Sequence, residues 1–459
     1  MSILLPLRSS PSFLRRPSPR VLFAALFLGF VGYYAGRVSS VDPLCPHHDV
    51  FVPKAEISSN TPPQVVRDLL NGPPTDAFRD NLRDDVQYIT SWPGTGYTND
   101  LIGYMNLIYL AILTERVPVL PFFTPAQVRH TTNKTVPPID FGVMFDVPRL
   151  SKALGKPILE WWQVKDRNST TVDPLGCWSI WKGVSTRNKN PHPSRAPGIL
   201  HLDISWTTPP PSVKLSQEDQ HHAKFAGLMA LTFPDMRRKS LRTPTPSPRL
   251  KLSLPPDEQL TCFDHMYWVS NFSPHEYMTE YSTGWRLVGK HLHWNPRIEA
   301  LSRDYLRQTF DLRENEDIPP YIAVHVRHGD FGTWCTRPRE ECFAPLSTYA
   351  RRVDEVKSEL LTKKNLSVQH VIVTSDETES KFWDEVRGLG WYQVDHSETI
   401  ERFGGWYPLI LDAAIQSGGM GMVGTRVSTV SLIAAHRVEA WQGGVVRIVN
   451  WGKPGADDH

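Results

Sequence analysis

The sequence predicts an α/β protein with two Rossmann-like lobes that face a central cleft. Three observations lead to this prediction. The chain has 459 residues, and a single hydrophobic core stops growing well below that length. Two separate stretches each alternate buried-strand patterns with helical patterns. In both stretches a strand runs directly into a turn that carries glycine or polar residues, which is where α/β proteins bind their ligands.

The N-terminal region predicts a membrane anchor. Residues 21–36 (VLFAALFLGFVGYYAG) carry no charge, and four arginines precede them, at Arg8, Arg15, Arg16 and Arg20. By the positive-inside rule, residues 1–20 form a cytosolic tail of a single-pass type II protein, and the rest of the chain lies in the lumen of the ER or Golgi. A cleaved signal peptide or a buried core helix would also fit so short a segment. Residues 37–80, rich in proline and polar residues, are predicted to be a stem.

The first lobe is predicted over residues 81–285. Val86–Trp92 has the pattern of a buried strand, a Gly-rich turn follows it, and apolar residues at helical spacing predict a helix from Asp100 to Arg116. Val117–Phe123 predicts the next strand. The proline-rich stretch 207–256, with one helical patch over Ser216–Phe233, is interpreted as a surface insertion.

The second lobe is predicted over residues 286–459, where strand and helix patterns again alternate. Together the two lobes give a GT-B-like arrangement with parallel strands whose carboxyl ends point at the ligand. The strands are predicted at Tyr321–Arg327, His370–Ser375, Gly421–Thr425 and Val445–Asn450, and the helices at Asn295–Phe310, Leu346–Leu361 and Ser428–His436.

Five cysteines and four N-glycosylation sequons bear on the compartment. In an oxidising lumen Cys177 would pair with Cys262 and Cys335 with Cys342, and Cys45 would be free or intermolecular. The alternative to disulfide bonding is that all five cysteines are reduced thiols. The sequons begin at Asn133, Asn168, Asn271 and Asn365, and they are modified only where the chain meets the lumen.

Composition and motifs exclude several function classes. The formal charge of +2 gives no reason to expect a nucleic acid partner. The chain has no P-loop and no nucleophile elbow, its histidine pairs lack further ligands at metal spacing, and no D-x-D run that would hold Mg²⁺ or Mn²⁺ occurs. Neither a cofactor nor a metal is therefore expected.

The sharpest motif is HVRHGDF, residues 325–331, where a predicted buried strand ends. A diphosphate leaving group needs its developing charge neutralised, and the planar fork of arginine matches phosphate oxygens. Arg327 is the predicted catalytic residue. The alternative is a structural salt bridge between Arg327 and Asp330.

Two more strand ends belong to the same lobe. Thr425, Ser428 and Thr429 lie where a helix begins, so their hydroxyls and the helix amides can hold phosphate; a helix cap without a ligand is the alternative. Asp376 can accept hydrogen bonds from the donor edge of guanine, although a turn aspartate at a strand end would look the same.

These pieces resemble the GDP-fucose protein O-fucosyltransferase family and its α1,6-fucosyltransferase relatives. The resemblance extends loosely over Val86–Val449 and is specific in the loop GTGYTND, in HVRHGDF and in DAAIQSGGMGMVGTRVSTVS. It implies that Arg327 binds the β-phosphate, that His325 lies near the ribose, that Asp376 binds guanine, and that Ser428 and Thr429 hold phosphate. It also implies that Gly94, Gly96 and Asn99 line the cleft between donor and acceptor. Asp330, in the same motif as Arg327, is expected to be part of the nucleotide-sugar site.

The predicted function is transfer of fucose from GDP-fucose to a hydroxyl of a protein or glycan, with inversion at the anomeric carbon. Another GDP-sugar on the same fold, or a non-catalytic glycan-binding or scaffold protein, are the alternatives. Asp100 is the nearest candidate for a general base, and an aspartate there is as well placed to cap the following helix.

Overall fold

A computed structural model of the chain describes residues 68–125, 136–185, 189–216, 221–279 and 282–458. The predicted anchor at 21–36, Cys45 and the sequon at Asn133 lie outside these ranges. Within the described ranges, no helix is long and apolar enough to cross a membrane.

The described residues contain thirteen strands, and all paired strands are parallel. They are β1 (Tyr88–Ser91), β2 (Val117–Leu120), β3 (Leu159–Glu160), β4 (Asp173–Trp178), β5 (Leu202–Thr207), β6 (Ala223–Lys224), β7 (Leu260–Phe263), β8 (Val269–Ser270), β9 (Tyr321–Val326), β10 (His370–Ser375), β11 (Tyr392–Gln393), β12 (Gly421–Thr425) and β13 (Val445–Val449). The first sheet has the order β3-β2-β1-β7-β4-β5, the second has the order β11-β10-β9-β12-β13, and β6 pairs with β8.

Helices cover the sheets and connect their strands. They are α1 (Phe78–Asn81), α2 (Tyr97–Leu113), α3 (Phe141–Met144), α4 (Val147–Leu154), α5 (Trp161–Val164), α6 (Ile180–Val184), α7 (Ala196–Ile199), α8 (Phe225–Ala230), α9 (Pro234–Ser240), α10 (Thr283–Leu287), α11 (Pro296–Thr309), α12 (Arg339–Cys342), α13 (Leu346–Lys364), α14 (Ser380–Gly388), α15 (Thr399–Phe403), α16 (Tyr407–Gly418) and α17 (Thr429–Gln442). Short 3₁₀ turns lie at Pro211–Val213, Glu276–Met278, Gly289–His291 and Gly329–Trp334.

The second sheet places its middle strand between two layers of helices. All six residues of β9 are buried. Ile322 and Val324 pack with residues of α13, while Ala323 shares a core with residues of α16 and α17. A strand covered on both faces must be apolar throughout, which is why the run YIAVHV predicted it correctly. The bounds of β10 and β12 also agree with their predictions.

The first lobe differs from its prediction at two places. Helix α2 begins at Tyr97 rather than Asp100, because Gly96 in extended conformation serves as its N-cap. The folded part also begins before residue 81: Leu70 and Phe78, placed in the predicted stem, are buried in the core of the first sheet.

The proline-rich stretch 207–256 is not only a surface feature. Val213, Ala223 and Leu228 within it are fully buried, and β6 pairs with β8 outside the stretch. Two helices, α8 and α9, replace the single predicted patch. The stretch therefore contributes to the core of the first lobe.

Both predicted disulfides are present. Cys177 on β4 bonds to Cys262 on β7, and Cys335 bonds to Cys342. The first bond crosses between strands of the first sheet, and both of its cysteines are completely buried. The second closes the short loop that follows the HVRHGDF motif.

We expect the two disulfides to differ in their effect on stability. The bond between Cys177 and Cys262 spans 85 residues, and that between Cys335 and Cys342 spans 7. Cross-linking a longer loop removes more entropy from the unfolded chain, so replacing the first pair by alanine should lower the free energy of unfolding by about 4 to 5 kcal/mol and replacing the second by about 2 to 3 kcal/mol. Urea unfolding of the two double variants measures the difference. Equal losses, or a larger loss for the short loop, would contradict this expectation.

Candidate functional site

The predicted site residues of the second lobe come together at the carboxyl ends of three adjacent strands. His325 on β9 is paired in register with Thr374 on β10, and β12 lies on the other side of β9. Arg327 follows β9, Asp376 follows β10, and Thr425 ends β12. Parallel strands that end together bring these residues to one edge of the sheet, which is the usual ligand-binding edge of such sheets.

Thr425 ties two of these strand ends together. Its hydroxyl donates to the carbonyl oxygen of His325 (3.0 Å) and accepts from the backbone N–H of Arg327 (3.0 Å). It also lies 2.8 Å from the hydroxyl of Tyr349. A hydroxyl has one proton to donate, and here that proton is used within the protein. Thr425 thus positions Arg327 and has no donor left for a phosphate.

His325 is buried and neutral. Burial, together with the positive charge of Arg327, lowers the pKa of His325 to about 3, although Asp376 opposes the shift. Its Nδ1 lies 2.7 Å from Oγ of Ser431, and the same Oγ accepts from the backbone N–H of Thr425 (2.9 Å). The bond between Nδ1 and Ser431 fixes the orientation of the imidazole ring.

Arg327 lies between two carboxylates. Its Nη2 is 2.5 Å from Oδ1 of Asp330, and its Nη1 is 2.8 Å from Oδ2 of Asp376. The guanidinium also lies over the ring of Phe331, 5.5 Å from its centroid. The salt bridge between Arg327 and Asp330, which was the alternative to a catalytic role, is present, and Asp376 adds a second carboxylate to it. About a quarter of the Arg327 side chain stays accessible (25%), so the group is fixed in orientation and still open to a ligand.

Asp376 is fixed by residues that follow the neighbouring strand, β9. Its Oδ1 accepts from the backbone N–H of His328 (2.9 Å), and its Oδ2 pairs with Arg327. A side chain at Gly329 would not fit, because its Cβ would lie 2.1 Å from Oδ2 of Asp376. The glycine in HVRHGDF is therefore required so that Asp376 can approach the turn. Both oxygens of this carboxylate have partners in the protein, so guanine binding by Asp376 stays a prediction.

The turn between β12 and α17 forms the start of a fourteen-residue helix. Ser428 caps it, and its hydroxyl accepts from the N–H of Ser431. The N–H groups of Thr429 and Val430 lie ahead of the first intrahelical bond, so the positive end of the helix dipole and these amides can attract an anion. Val427 has a φ of 71°, which is strained for a β-branched residue. Such strain is typical of a functional turn.

The Gly-rich loop of the first lobe reaches this helix directly. The hydroxyl of Thr429 donates to Oδ1 of Asn99 (2.8 Å) and lies 2.7 Å from the hydroxyl of Thr98. Gly94 has close neighbours, because a Cβ there would lie 2.2 Å from the carbonyl oxygen of Pro193. Gly96 caps α2. Asn99 thus lies at the junction of the two lobes, together with Thr98, which the sequence gave no reason to select, whereas the neighbours of Gly94 belong to the first lobe.

Asp100 holds the Gly-rich loop. Its Oδ1 accepts from the N–H groups of Gly94 (3.0 Å) and Thr95 (2.9 Å) and from the hydroxyl of Thr95 (2.7 Å). It is 3% exposed, and burial raises its pKa to about 6 against the effect of these hydrogen bonds. A carboxylate enclosed in this way does not reach an acceptor, so Asp100 anchors the loop rather than acting as a general base.

A second contact between the lobes lies at the other end of α17. The guanidinium of Arg437, which is 1% exposed, lies over the ring of Phe145 of the first lobe at 5.7 Å and over that of Trp294 at 4.2 Å. His436 stacks on Trp285 at 5.0 Å. Cation–π and stacking contacts of buried rings contribute to stability. Helix α17 thus contacts the first lobe at both of its ends.

A cavity of about 440 Å³ opens beside the strand ends. It is lined by residues that follow β10 and β11 and by Asp412 of α16. Three carboxylate residues, Glu377, Asp395 and Asp412, line it, and Oδ1 of Asp412 lies 2.9 Å from Nε2 of His396. Asp412 belongs to the motif DAAIQSGG, but the sequence pattern gave no indication that it lines a cavity. In the part of the chain that the structure describes, no cluster of three or more His, Cys, Asp or Glu side chains could hold a metal ion.

The fold and the site define a class of protein. It is a mixed α/β protein with two lobes built on parallel sheets, and its polar site lies at the strand ends of the second lobe, next to a Gly-rich loop of the first. The sequence matches no protein-family model and no curated protein. Solved structures do match. POFUT1 in complex with GDP-fucose is 16% identical with a TM-score of 0.50, and the match covers 81% of this chain and 99% of that chain.

Other solved structures show the same likeness. POFUT1 in complex with GDP, in a third crystal form, is 14% identical with a TM-score of 0.50, and the match covers 80% of this chain and 99% of that one. The fucosyltransferase NodZ from Bradyrhizobium is 14% identical with a TM-score of 0.39, over 76% of this chain and 93% of NodZ. The resemblance drawn from the sequence is confirmed at the level of the fold, which this chain shares with POFUT1.

The contact between Thr98 and Thr429 predicts a measurable coupling between the lobes. Replacing either threonine by valine keeps the shape but removes a hydroxyl, and it should lower the free energy of unfolding by about 1 kcal/mol. The double variant should lose little more than Thr429→Val alone, because that variant already removes the contact with Thr98 together with the bond to Asn99. Urea unfolding of the three variants measures this. Thr362→Val is the control, since its hydroxyl bonds only to carbonyls of its own helix; fully additive losses at 98 and 429 would show that the hydroxyls do not act together.

Proposed function

We propose that this protein is a glycosyltransferase that moves fucose from GDP-fucose to a hydroxyl group of a protein or glycan. One observation carries the proposal: a fixed, accessible guanidinium and the amino end of a long helix meet at the edge of the second sheet, opposite a Gly-rich loop. The shared fold with POFUT1, whose structure contains GDP-fucose, supports this choice of donor. The likeness leaves open a closely related GDP-sugar as donor.

In this proposal the diphosphate lies between Arg327 and the first turn of α17. Arg327 has five N–H donors, and the two carboxylates that orient it leave donors for phosphate oxygens. The amides of Thr429 and Val430 supply neutral donors without adding charge. His325 presents its Nε2 near the ribose. Each of these groups is fixed by protein contacts before a ligand binds, which lowers the cost of binding.

The base would occupy the neighbouring cavity of about 440 Å³. Guanine presents two adjacent N–H donors, N1–H and N2–H, and a carboxylate matches such a pair. Asp395 and Asp412 line the cavity, so they are better placed than Asp376 to make this contact. Uracil offers a single N–H between two carbonyl oxygens and would leave a carboxylate poorly paired.

The chemistry follows from the leaving group. The bond between the anomeric carbon and a β-phosphate oxygen breaks, the acceptor oxygen forms its bond from the opposite face, and the proton of the acceptor hydroxyl passes to solvent water, so the anomeric centre is inverted. Charge that develops on GDP is neutralised by Arg327 and by the helix amides. Because Asp100 is enclosed, rate enhancement would depend on leaving-group stabilisation and alignment. The sequence has no D-x-D run, and we propose that transfer does not depend on a metal.

We propose a lumenal location with a membrane anchor at residues 21–36. Two disulfides are in place, and such bonds persist in oxidising compartments. Two of the sequon asparagines, Asn168 and Asn365, are exposed and therefore accessible to glycosylation.

Replacing Arg327 tests the proposed function. Arg327→Ala should lower the rate of GDP release from GDP-fucose by about 10²- to 10³-fold, the usual loss when a preorganised stabiliser of leaving-group charge is removed. Arg327→Lys should recover little, since lysine keeps the charge but loses the planar fork. The thermal midpoint of unfolding should change little. Steady-state GDP release by the full-length protein, with and without EDTA, is the measurement, and EDTA should leave the wild-type rate unchanged.

Arg339→Ala is the matched control. Arg339 lies on the same edge, 3.8 Å from Glu377, and is more exposed than Arg327; its loss should leave the rate unchanged. If Arg327 were only structural, its replacement would lower the unfolding midpoint while the remaining folded enzyme stayed active. Loss of wild-type activity in EDTA and its recovery with Mn²⁺ would show that a metal carries the diphosphate instead.

A further inference from the structure

One small cavity beneath the Gly-rich loop is lined by three residues that each carry a buried polar atom without a partner. The cavity is about 10 Å³ and is lined by Trp92, Asp100 and His265 among others. These three residues are 1%, 3% and 4% exposed. Nε1 of Trp92, Oδ2 of Asp100 and Nε2 of His265 have no hydrogen-bond partner within the described part of the chain. A buried polar atom without a partner destabilises the folded state, and three around one cavity point to a shared ligand.

The donors and acceptors of the three atoms define that ligand. Trp92 Nε1–H can only donate, and the carboxylate oxygen of Asp100 can only accept. Burial holds the pKa of His265 well below its usual range, so the ring is neutral, and it makes a hydrogen bond to the backbone of Trp92. Because Nε2 has no partner, that bond is made by Nδ1, which then carries the proton. Nε2 is therefore an acceptor.

The ligand must accept one hydrogen bond and donate two. A metal ion cannot accept from Trp92, an ammonium ion has no lone pair for it, and an anion would be repelled by Asp100. A cavity of about 10 Å³ holds about one water molecule, and buried waters typically make about three hydrogen bonds. We propose that one internal water molecule binds here, accepting from Trp92 Nε1–H and donating to Asp100 Oδ2 and to His265 Nε2.

The position of this water gives it a function. Trp92 follows β1, His265 follows β7 and Asp100 lies on α2, so the water joins three elements of the first lobe. Asp100 in turn holds Gly94 and Thr95 through its other oxygen. The water thus completes the anchor of the Gly-rich loop at the cleft. A hydrogen bond donated to Oδ2 also favours the ionised form of Asp100, which burial alone disfavours. The inference holds whichever donor sugar the protein uses.

Hydrogen exchange of the full-length protein tests the role of the water. Trp92→Phe keeps the ring and removes only the N–H donor. We expect the amides of Gly94 and Thr95 to exchange about tenfold faster, which corresponds to loss of about 1.4 kcal/mol of protection. His265→Leu should give a similar increase. The double variant should exchange no faster than either single variant, because each removes the same water.

Trp161→Phe is the matched control. Trp161 is an equally buried neighbouring tryptophan whose Nε1 donates directly to Oγ1 of Thr90 (3.0 Å). Its loss should destabilise the protein without selectively accelerating the amides of Gly94 and Thr95. Equal acceleration in Trp161→Phe and Trp92→Phe would overturn the proposal.

A high-resolution crystal structure of the full-length protein gives the direct observation. The proposal requires electron density for one water within hydrogen-bonding distance of all three atoms. A direct hydrogen bond between Trp92 and Asp100, or a site without water density, would overturn it. Neither experiment depends on GDP-fucose, so failure here and failure of the proposed transferase activity are distinguishable.

Discussion

The structure of the site depends on one arginine held between two carboxylates. Asp330 and Asp376 fix the guanidinium of Arg327 at the end of β9, and Thr425 fixes its backbone. One positive and two negative groups cannot by themselves attract a diphosphate. The amino end of α17 must therefore supply part of the attraction, through amides and the helix dipole. Arg327 and the amino end of α17 would attract a diphosphate only in combination. The hydrogen bond from the N–H of Thr425 to Oγ of Ser431, at the start of α17, fixes their relative position.

Helix α17 also joins the lobes. Its first residue, Thr429, contacts Asn99 and Thr98 of the Gly-rich loop, and His436 near its other end stacks on Trp285 of the first lobe. A displacement of the first lobe would therefore move the proposed phosphate site. A single element thus contacts the first lobe and carries the amides of the proposed phosphate site.

Sequence alone predicted the parts of the fold that local patterns determine. Buried apolar runs gave β9, β10 and β12, and glycine and hydroxyl residues at strand ends gave the position of the site. Strands such as β4 and β5 were missed because they contain proline, aspartate or serine whose burial depends on distant partners; Asp203, for example, accepts from Ser247. The cavity beside β10 was also not predictable, since Thr374, His396 and Asp412 come together only through the parallel order of the sheet. The sequence could not show that Asp100 anchors the loop, because an aspartate at this position is equally consistent with a general base or a helix cap.

The central claim is that this edge of the second lobe binds a guanosine diphosphate. Calorimetric titration of the full-length protein with GDP, GDP-fucose, GDP-mannose and UDP tests it most directly. The carboxylates of the cavity would leave UDP imperfectly paired, at a cost of about 1 to 3 kcal/mol, so GDP and GDP-fucose should bind roughly 10- to 100-fold more tightly than UDP. Stronger binding of GDP-fucose than of GDP-mannose would identify the sugar. Equal affinity for UDP and GDP, or no binding of either, would contradict the account.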